Sequence, residues 1–111
     1  MRRALAGAGE VNRRGHAGRV DGNQARIVAA LRRLGCSVAI TSQVGQGLPD
    51  LLVGYMGRTI LMELKDGTRA PSDRKLTAAE AYFLGHWRGG PAVVVSSEEE
   101  AIAAVLDRGK P

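Results

Sequence analysis

The chain has little cysteine, few aromatic residues and no apolar run long enough to cross a membrane. Its single cysteine, Cys36, excludes an internal disulfide and alternates with Val38 and Ile40, which predicts a buried thiol in a strand. One Trp, two Tyr and one Phe leave most of the core to aliphatic side chains. Because no apolar segment follows Arg2-Arg3, we expect no secretory signal. Together these absences predict a protein of the reducing cytoplasm.

The positive charge is concentrated at the start of the chain. The net charge is +5, and residues 1–20 contain five arginines against Glu10, with Gly and Ala between them. We therefore predict a basic, extended arm over residues 1–20, followed by one folded domain over residues 21–111. The arm either contacts nucleic-acid phosphates, with Arg13 and Arg14 as candidates, or acts only as a solubilising tail.

Hydrophobic periodicity predicts an α/β fold in which helices flank a mixed β-sheet, with the order α-β-β-β-α-β-α. Trp87 is expected to anchor the core, and Glu80 to form a capping box with Thr77. The continuous apolar strand near the end is expected at the centre of the sheet. The predicted elements are a helix Asn23–Leu34 capped by Asp21 and stopped by Gly35, strands Cys36–Thr41, Leu51–Val53 and Thr59–Lys65, a helix Ala78–Arg88, a strand Ala92–Val95, and a helix capped by Ser96 or Ser97.

Two short polar runs lie at the ends of a predicted β-hairpin. Pro49-Asp50 precedes its first strand, and Glu63-Leu64-Lys65 ends its second. Side chains alternate along a strand, so Glu63 and Lys65 share a face about 6.5–7 Å apart. The opposite face is apolar and is predicted to be core; it carries Leu51, Val53, Ile60, Met62 and Leu64. A turn centred on Met56-Gly57 places Asp50 directly opposite Glu63, and one centred on Tyr55-Met56 places it one diagonal step away. Either turn brings the two carboxylates to one face, whereas an odd loop or a bulge would not.

Paired carboxylates at this position favour a metal site. Two close carboxylates repel each other, and a divalent cation relieves that repulsion. Hard oxygen ligands select Mg²⁺ or Mn²⁺, which polarise a phosphoryl oxygen and lower the pKa of a bound water. Lys65 would sit beside that water or the scissile phosphate as a point charge, where it would orient or activate the attacking water and stabilise charge on the phosphate. The alternative is an ordinary surface hairpin end with a Glu–Lys pair.

The pattern Pro49-Asp50…Glu63-Leu64-Lys65 resembles the signature of the PD-(D/E)XK nuclease superfamily. The order of the flanking elements, from about Asp21 to Leu106, is similar to the VRR-NUC family, especially its small stand-alone phage-type members. The resemblance implies a restriction-endonuclease-like core and Mg²⁺- or Mn²⁺-dependent cleavage of DNA, often at branched or junction structures, by a homodimer. It implies Asp50, Glu63 and Lys65 as catalytic residues, with the Leu64 carbonyl as a further metal ligand.

Two departures from that family pattern bear on the site. Family members commonly carry a Glu on the first helix, where this chain has Asp21-Gly22-Asn23-Gln24. Possible accessory residues are therefore Asn23, Gln24 and Gln43, and the basic loop after Lys65 supplies candidate DNA contacts at Arg69, Arg74 and Lys75. Members also often carry a Gln where this chain has Glu80. We interpret Glu80 as structural, with proximity to the site as the alternative. The alternative function is a non-catalytic nucleic-acid-binding module that retains the fold. We expect the protein to lie in the cytoplasm, which would be the host's cytoplasm if the chain is phage-encoded.

Overall fold

The computed structural model describes residues 22–107, so the predicted arm and the predicted N-cap Asp21 lie outside the described range. Its elements follow the predicted order, with one short 3₁₀ helix added. In chain order they are α1 Gly22–Leu34, β1 Ser37–Ile40, β2 Leu51–Tyr55, β3 Arg58–Leu64, the 3₁₀ helix Pro71–Arg74, α2 Ala78–His86, β4 Ala92–Val95 and α3 Glu98–Leu106.

The four strands form one mixed sheet in the order β1-β2-β3-β4. The first three are antiparallel neighbours, and β4 pairs in parallel with β3 after the crossover through α2. The α/β class and the mixed sheet are therefore confirmed. The central position predicted for β4 is wrong, because β4 has a strand neighbour on one side only within residues 22–107, and Val94 is 44% exposed. Apolar composition alone does not distinguish a central strand from an edge strand.

The β2–β3 hairpin turns at Met56-Gly57, the first of the two predicted alternatives. Both turn residues have positive φ, 50° and 81°, as a two-residue type I′ turn requires. Tyr55 pairs with Arg58 and Leu51 with Met62. Extending this register by one residue places Asp50 opposite Glu63, so the hairpin fixes the relation between the two acids.

One face of the sheet packs against α1 and α3 and forms the core. The predicted apolar face of the hairpin is confirmed, because its four central side chains are fully buried, and the Cys36 thiol is buried as predicted. Gly35, with φ of 111°, ends α1 at the predicted place. The buried core cluster comprises Ile27, Val28, Leu31, Cys36, Leu51, Val53, Ile60, Met62, Val95, Ala101 and Val105.

Helix α2 has no buried residue, which contradicts the role predicted for Trp87. Trp87 lies just beyond the end of α2 and is 43% exposed. Its ring stacks on Phe83 at a centroid distance of 5.3 Å, and its indole N–H donates to the Gly90 carbonyl. Helical spacing places residues on a common face, but it does not show whether that face is covered by the sheet. The aromatic side chains of this segment pack on one another instead.

Candidate functional site

Asp50 and Glu63 come together because the hairpin register places them opposite each other. Asp50 lies immediately before β2, and its Oδ2 accepts a hydrogen bond of 2.8 Å from the Leu64 N–H. The Asp50 and Glu63 side chains also contact each other. The N–H and C=O of one strand residue point towards the same neighbouring strand. The Leu64 carbonyl therefore points to the side on which Asp50 lies, as a shared metal ligand would.

Glu63 is a carboxylic acid in a site that disfavours its charge. It is only 3% exposed. Desolvation, followed by the negative charges of Asp50 and Glu80, raises the pKa of Glu63 to about 8. Desolvation also raises the pKa of Asp50, although its hydrogen bond from Leu64 opposes this. A cation placed beside both groups would favour their ionised forms, so the electrostatics suit a cation-binding site.

Lys65 is the cation that the chain itself supplies to this site. Its Nζ lies 3.5 Å from Glu63 Oε2 and 3.0 Å from Glu80 Oε1. Burial alone would lower the pKa of Lys65, but the two carboxylates outweigh burial and raise it. Lys65 is therefore an ammonium ion at neutral pH, which suits stabilisation of negative charge better than proton abstraction.

Glu80 is a site residue that the sequence analysis interpreted as structural, with proximity to the site as the alternative. The predicted capping box with Thr77 is present at the start of α2. The same carboxylate also contacts Lys65, so the described site contains three acids around one lysine. No local pattern predicts this contact, because it depends on the path of the loop between β3 and α2.

The candidate metal ligands of this site are all oxygen atoms. Among residues 22–107, no group of three or more His, Cys, Asp or Glu side chains is arranged to hold a metal ion. The predicted set needs only two carboxylates, Asp50 and Glu63, with the Leu64 backbone carbonyl. Mg²⁺ is commonly bound through one or two carboxylates while it keeps several waters. The oxygen donors therefore fit Mg²⁺ or Mn²⁺, whereas a zinc site would favour His or Cys ligands.

The accessory candidates occupy different places. Asn23 is buried, and its amide nitrogen lies 3.4 Å from the carbonyl oxygens of both Lys65 and Ser96. It therefore ties the start of α1 to the chain just after β3 and β4. Gln24 is half-buried beside it. Gln43 is exposed on the loop before Pro49 and has no hydrogen bond to the described residues of the site.

The loop before Asp50 touches the start of α2. Gly45, Gln46 and Gly47 all have positive φ, of 84°, 62° and 80°. A Cβ on Gly47 would lie 2.3 Å from the carbonyl oxygen of Ala79. Gly47 thus allows a close backbone approach between the loop that precedes Asp50 and the helix that carries Glu80.

Alanine at Gly47 is expected to destabilise the protein by more than about 2 kcal/mol, because it combines backbone strain with a clash against main chain. The matched control is Gly45→Ala, which has a similar φ but open space around it, and should cost only about 1–2 kcal/mol. Urea unfolding of both variants measures the difference. Equal losses would show that the Gly47–Ala79 approach is not tight in solution.

The basic loop connects the two halves of the site. It leaves Lys65 and returns to the helix that carries Glu80. Arg69 and Lys75 are exposed on it, and Arg74 is half-buried. The Arg74 Nε is buried without a hydrogen-bond partner among the described residues, so this guanidinium keeps an unsatisfied donor. Arg13 and Arg14 lie outside the described range.

Comparison with known proteins adds no relative: no family model matches the chain, and no curated protein or solved structure is significantly similar to it. The resemblance to VRR-NUC nucleases therefore stays a prediction supported by the motif and the geometry of its residues. Within residues 22–107, no helix combines the length and apolar character that crossing a bilayer requires.

Proposed function

We propose that this chain is a Mg²⁺- or Mn²⁺-dependent DNA endonuclease of the PD-(D/E)XK type, similar to VRR-NUC enzymes. The observation that carries the proposal is the contact between half-buried Asp50 and buried Glu63, which share the end of one hairpin with the Lys65 ammonium. Two acids side by side, one of them buried, are costly unless they bind something. A paired-acid and lysine site of this kind suits hydrolysis of a phosphodiester.

Each residue has a defined task in this proposal. Asp50, Glu63 and the Leu64 carbonyl would hold a metal ion, which would polarise the scissile phosphate and lower the pKa of a water. Lys65 stabilises the negative charge that develops on the phosphate, and its ammonium is already held near Glu63. The low exposure of Glu63 lowers the effective dielectric around its carboxylate, which strengthens the attraction of that carboxylate for a cation.

DNA would be held by the cations around the site. Arg69, Arg74 and Lys75 lie on the loop that links Lys65 to α2, close to where a scissile phosphate would bind. Arg13 and Arg14 in the basic arm would extend the contact along the backbone. The preference for branched or junction DNA and the homodimer rest on the family resemblance. The proposed cytoplasmic location, in a host if phage-encoded, rests on the single cysteine and the lack of a secretory signal.

A non-catalytic nucleic-acid-binding module is the second candidate. It is favoured by the absence of an acidic residue at the start of α1, where Asn23 is bound to backbone carbonyls. It is disfavoured by the paired carboxylates of Asp50 and Glu63, because binding an anionic backbone does not require two acids at the centre of the site. The two candidates differ in their need for a divalent cation.

The deciding experiment incubates the full chain with linear, nicked, flapped and four-way DNA in Mn²⁺, in Mg²⁺ and in EDTA. Cleavage of branched substrates in either metal but not in EDTA is expected. Binding of DNA by the folded protein without cleavage of any substrate would favour the binding module. Light scattering under the same conditions tests the homodimer.

A further inference from the structure

The Glu80 carboxylate serves two partners at once. Its Oε1 accepts the Thr77 N–H at 2.9 Å and the Lys65 Nζ at 3.0 Å. The Glu80 N–H in turn donates to Thr77 Oγ1 at 3.1 Å. The capping box therefore fixes the carboxylate from its own helix, and the fixed oxygen holds the lysine. Because the Glu80 carboxylate is itself held by the Thr77 N–H, it fixes the position of the Lys65 ammonium more closely than an unrestrained surface carboxylate would.

The Lys65 ammonium contacts two acids, Glu63 and Glu80, at different distances. Its Nζ is closer to Glu80, at 3.0 Å, than to Glu63, at 3.5 Å. If Glu80 were absent, Glu63 would be the remaining acid in contact with the ammonium, and the two would pair more tightly. An ammonium paired to Glu63 competes with a metal ion for that carboxylate and is displaced from the phosphate.

We propose that Glu80 is a positioning residue for Lys65: it draws the ammonium towards α2 and so leaves Glu63 available to a divalent cation. This inference rests on the proposed function. It adds Glu80, whose capping box had explained it as a helix-stabilising residue, to the residues that serve the site. Because α2 has no buried side chain, its first turn is held at the site by this contact and by the approach of Ala79 to Gly47.

The chain offers a matched control for the capping role. Helix α3 begins with a similar cap, in which the Glu100 N–H donates to Ser97 Oγ at 3.1 Å and Glu100 Oε1 accepts the N–H of Ser96, one residue before the N-cap, at 2.7 Å. Glu100 is exposed and has no hydrogen bond or ion pair with Asp50, Glu63 or Lys65. Glu100→Ala therefore removes a cap of the same kind without touching the site.

The test compares Glu80→Ala, Glu80→Gln, Thr77→Ala and Glu100→Ala in the full chain. Mg²⁺ binding is measured by calorimetry without DNA, and cleavage is measured as kcat and KM. Glu80→Ala should weaken Mg²⁺ binding and lower kcat by about tenfold each without raising KM for DNA. Glutamine also caps helices and accepts a hydrogen bond from an ammonium, so Glu80→Gln should recover most of both. Thr77→Ala and Glu100→Ala should change neither.

Three results would overturn the proposal. They are unchanged Mg²⁺ binding in folded Glu80→Ala, equal losses in Glu80→Ala and Glu80→Gln, and no Mg²⁺ or Mn²⁺ binding by the wild type. The second would show that the 3.0 Å hydrogen bond to Lys65, which glutamine can also accept, does not account for the loss. Calorimetry keeps the inference separate from the nuclease proposal: a wild type that binds Mg²⁺ but cuts no substrate contradicts the nuclease, while weaker binding in Glu80→Ala alone still supports positioning.

Discussion

Metal-dependent cleavage is expected to fall by about 10²–10⁴-fold when Asp50, Glu63 or Lys65 is replaced singly. The informative variants are Asp50→Asn, Glu63→Gln and Lys65→Ala, because the first two keep the shape of the side chain. Asp50 and Glu63 each supply negative charge to one cation, and Lys65 supplies positive charge to the phosphate. Removing any one of them leaves an incomplete site.

The three residues should behave as a unit. A double variant, Asp50→Asn with Glu63→Gln, is expected to lose little beyond either single change, because groups that act together have non-additive effects. Rates of plasmid nicking and of flap cleavage in Mn²⁺ measure the loss. Glu99→Gln is the matched control, because Glu99 is an exposed acid at the start of α3. Near wild-type turnover by folded Glu63→Gln would contradict the catalytic assignment.

The fold was largely predictable because local patterns specify it. Period-two alternation in the hairpin identified the buried face, and Gly57 marked one of the two turns that bring Asp50 and Glu63 together. The motif and the register then fixed most of the site. The ends of helices were also predictable from the sequence, because Gly35 and Ser97 meet local backbone requirements that do not depend on distant packing.

The errors share one physical cause: they depend on how elements lie in space. Trp87 has the helical spacing of a core residue, but it lies where the sheet does not cover the segment. The strand Ala92–Val95 is apolar throughout yet lies at an edge in the described sheet. The contact between Glu80 and Lys65 depends on a loop whose path no local pattern encodes. Sequence periodicity specifies faces, not what covers them.

Glu63→Gln is also expected to stabilise the metal-free protein above about pH 7, although it removes activity. The pKa of Glu63 is raised to about 8 from an ordinary value of 4.5, first by desolvation and then by Asp50 and Glu80. The folded state therefore binds more protons than the unfolded state between these two values. Stability must then fall as the pH rises through this window, and the loss is complete above about pH 8.

The size of this effect follows from the same linkage. One unit of pKa corresponds to about 1.4 kcal/mol, so ionised Glu63 lowers the free energy of unfolding by roughly 3–5 kcal/mol at pH 8.5. Glutamine has no charge to bury and avoids this loss. The advantage of Glu63→Gln over wild type in EDTA should thus be near zero at pH 4.5 and largest at pH 8.5. Groups that do not interact with Glu63 contribute equally to both proteins and cancel. The titration of Asp50, Glu80 and Lys65 changes with Glu63, so the measured difference belongs to the whole cluster.

Added metal should reduce this advantage. Mg²⁺ or Mn²⁺ bound between Asp50 and Glu63 would stabilise the folded wild type by RT ln(1 + [metal]/Kd), about 1.4 kcal/mol at ten times Kd, whereas Glu63→Gln loses a charged ligand and gains less. Urea unfolding at pH 4.5, 7 and 8.5, in EDTA or with metal at ten times Kd, measures both effects, and Glu99→Gln again serves as the control. A Glu63→Gln advantage that does not grow with pH would show that Glu63 is not held as a buried acid. A pH-dependent advantage that metal fails to reduce would place the acid correctly but deny it the role of ligand, since the cost of its burial would then be offset by nothing that the site binds.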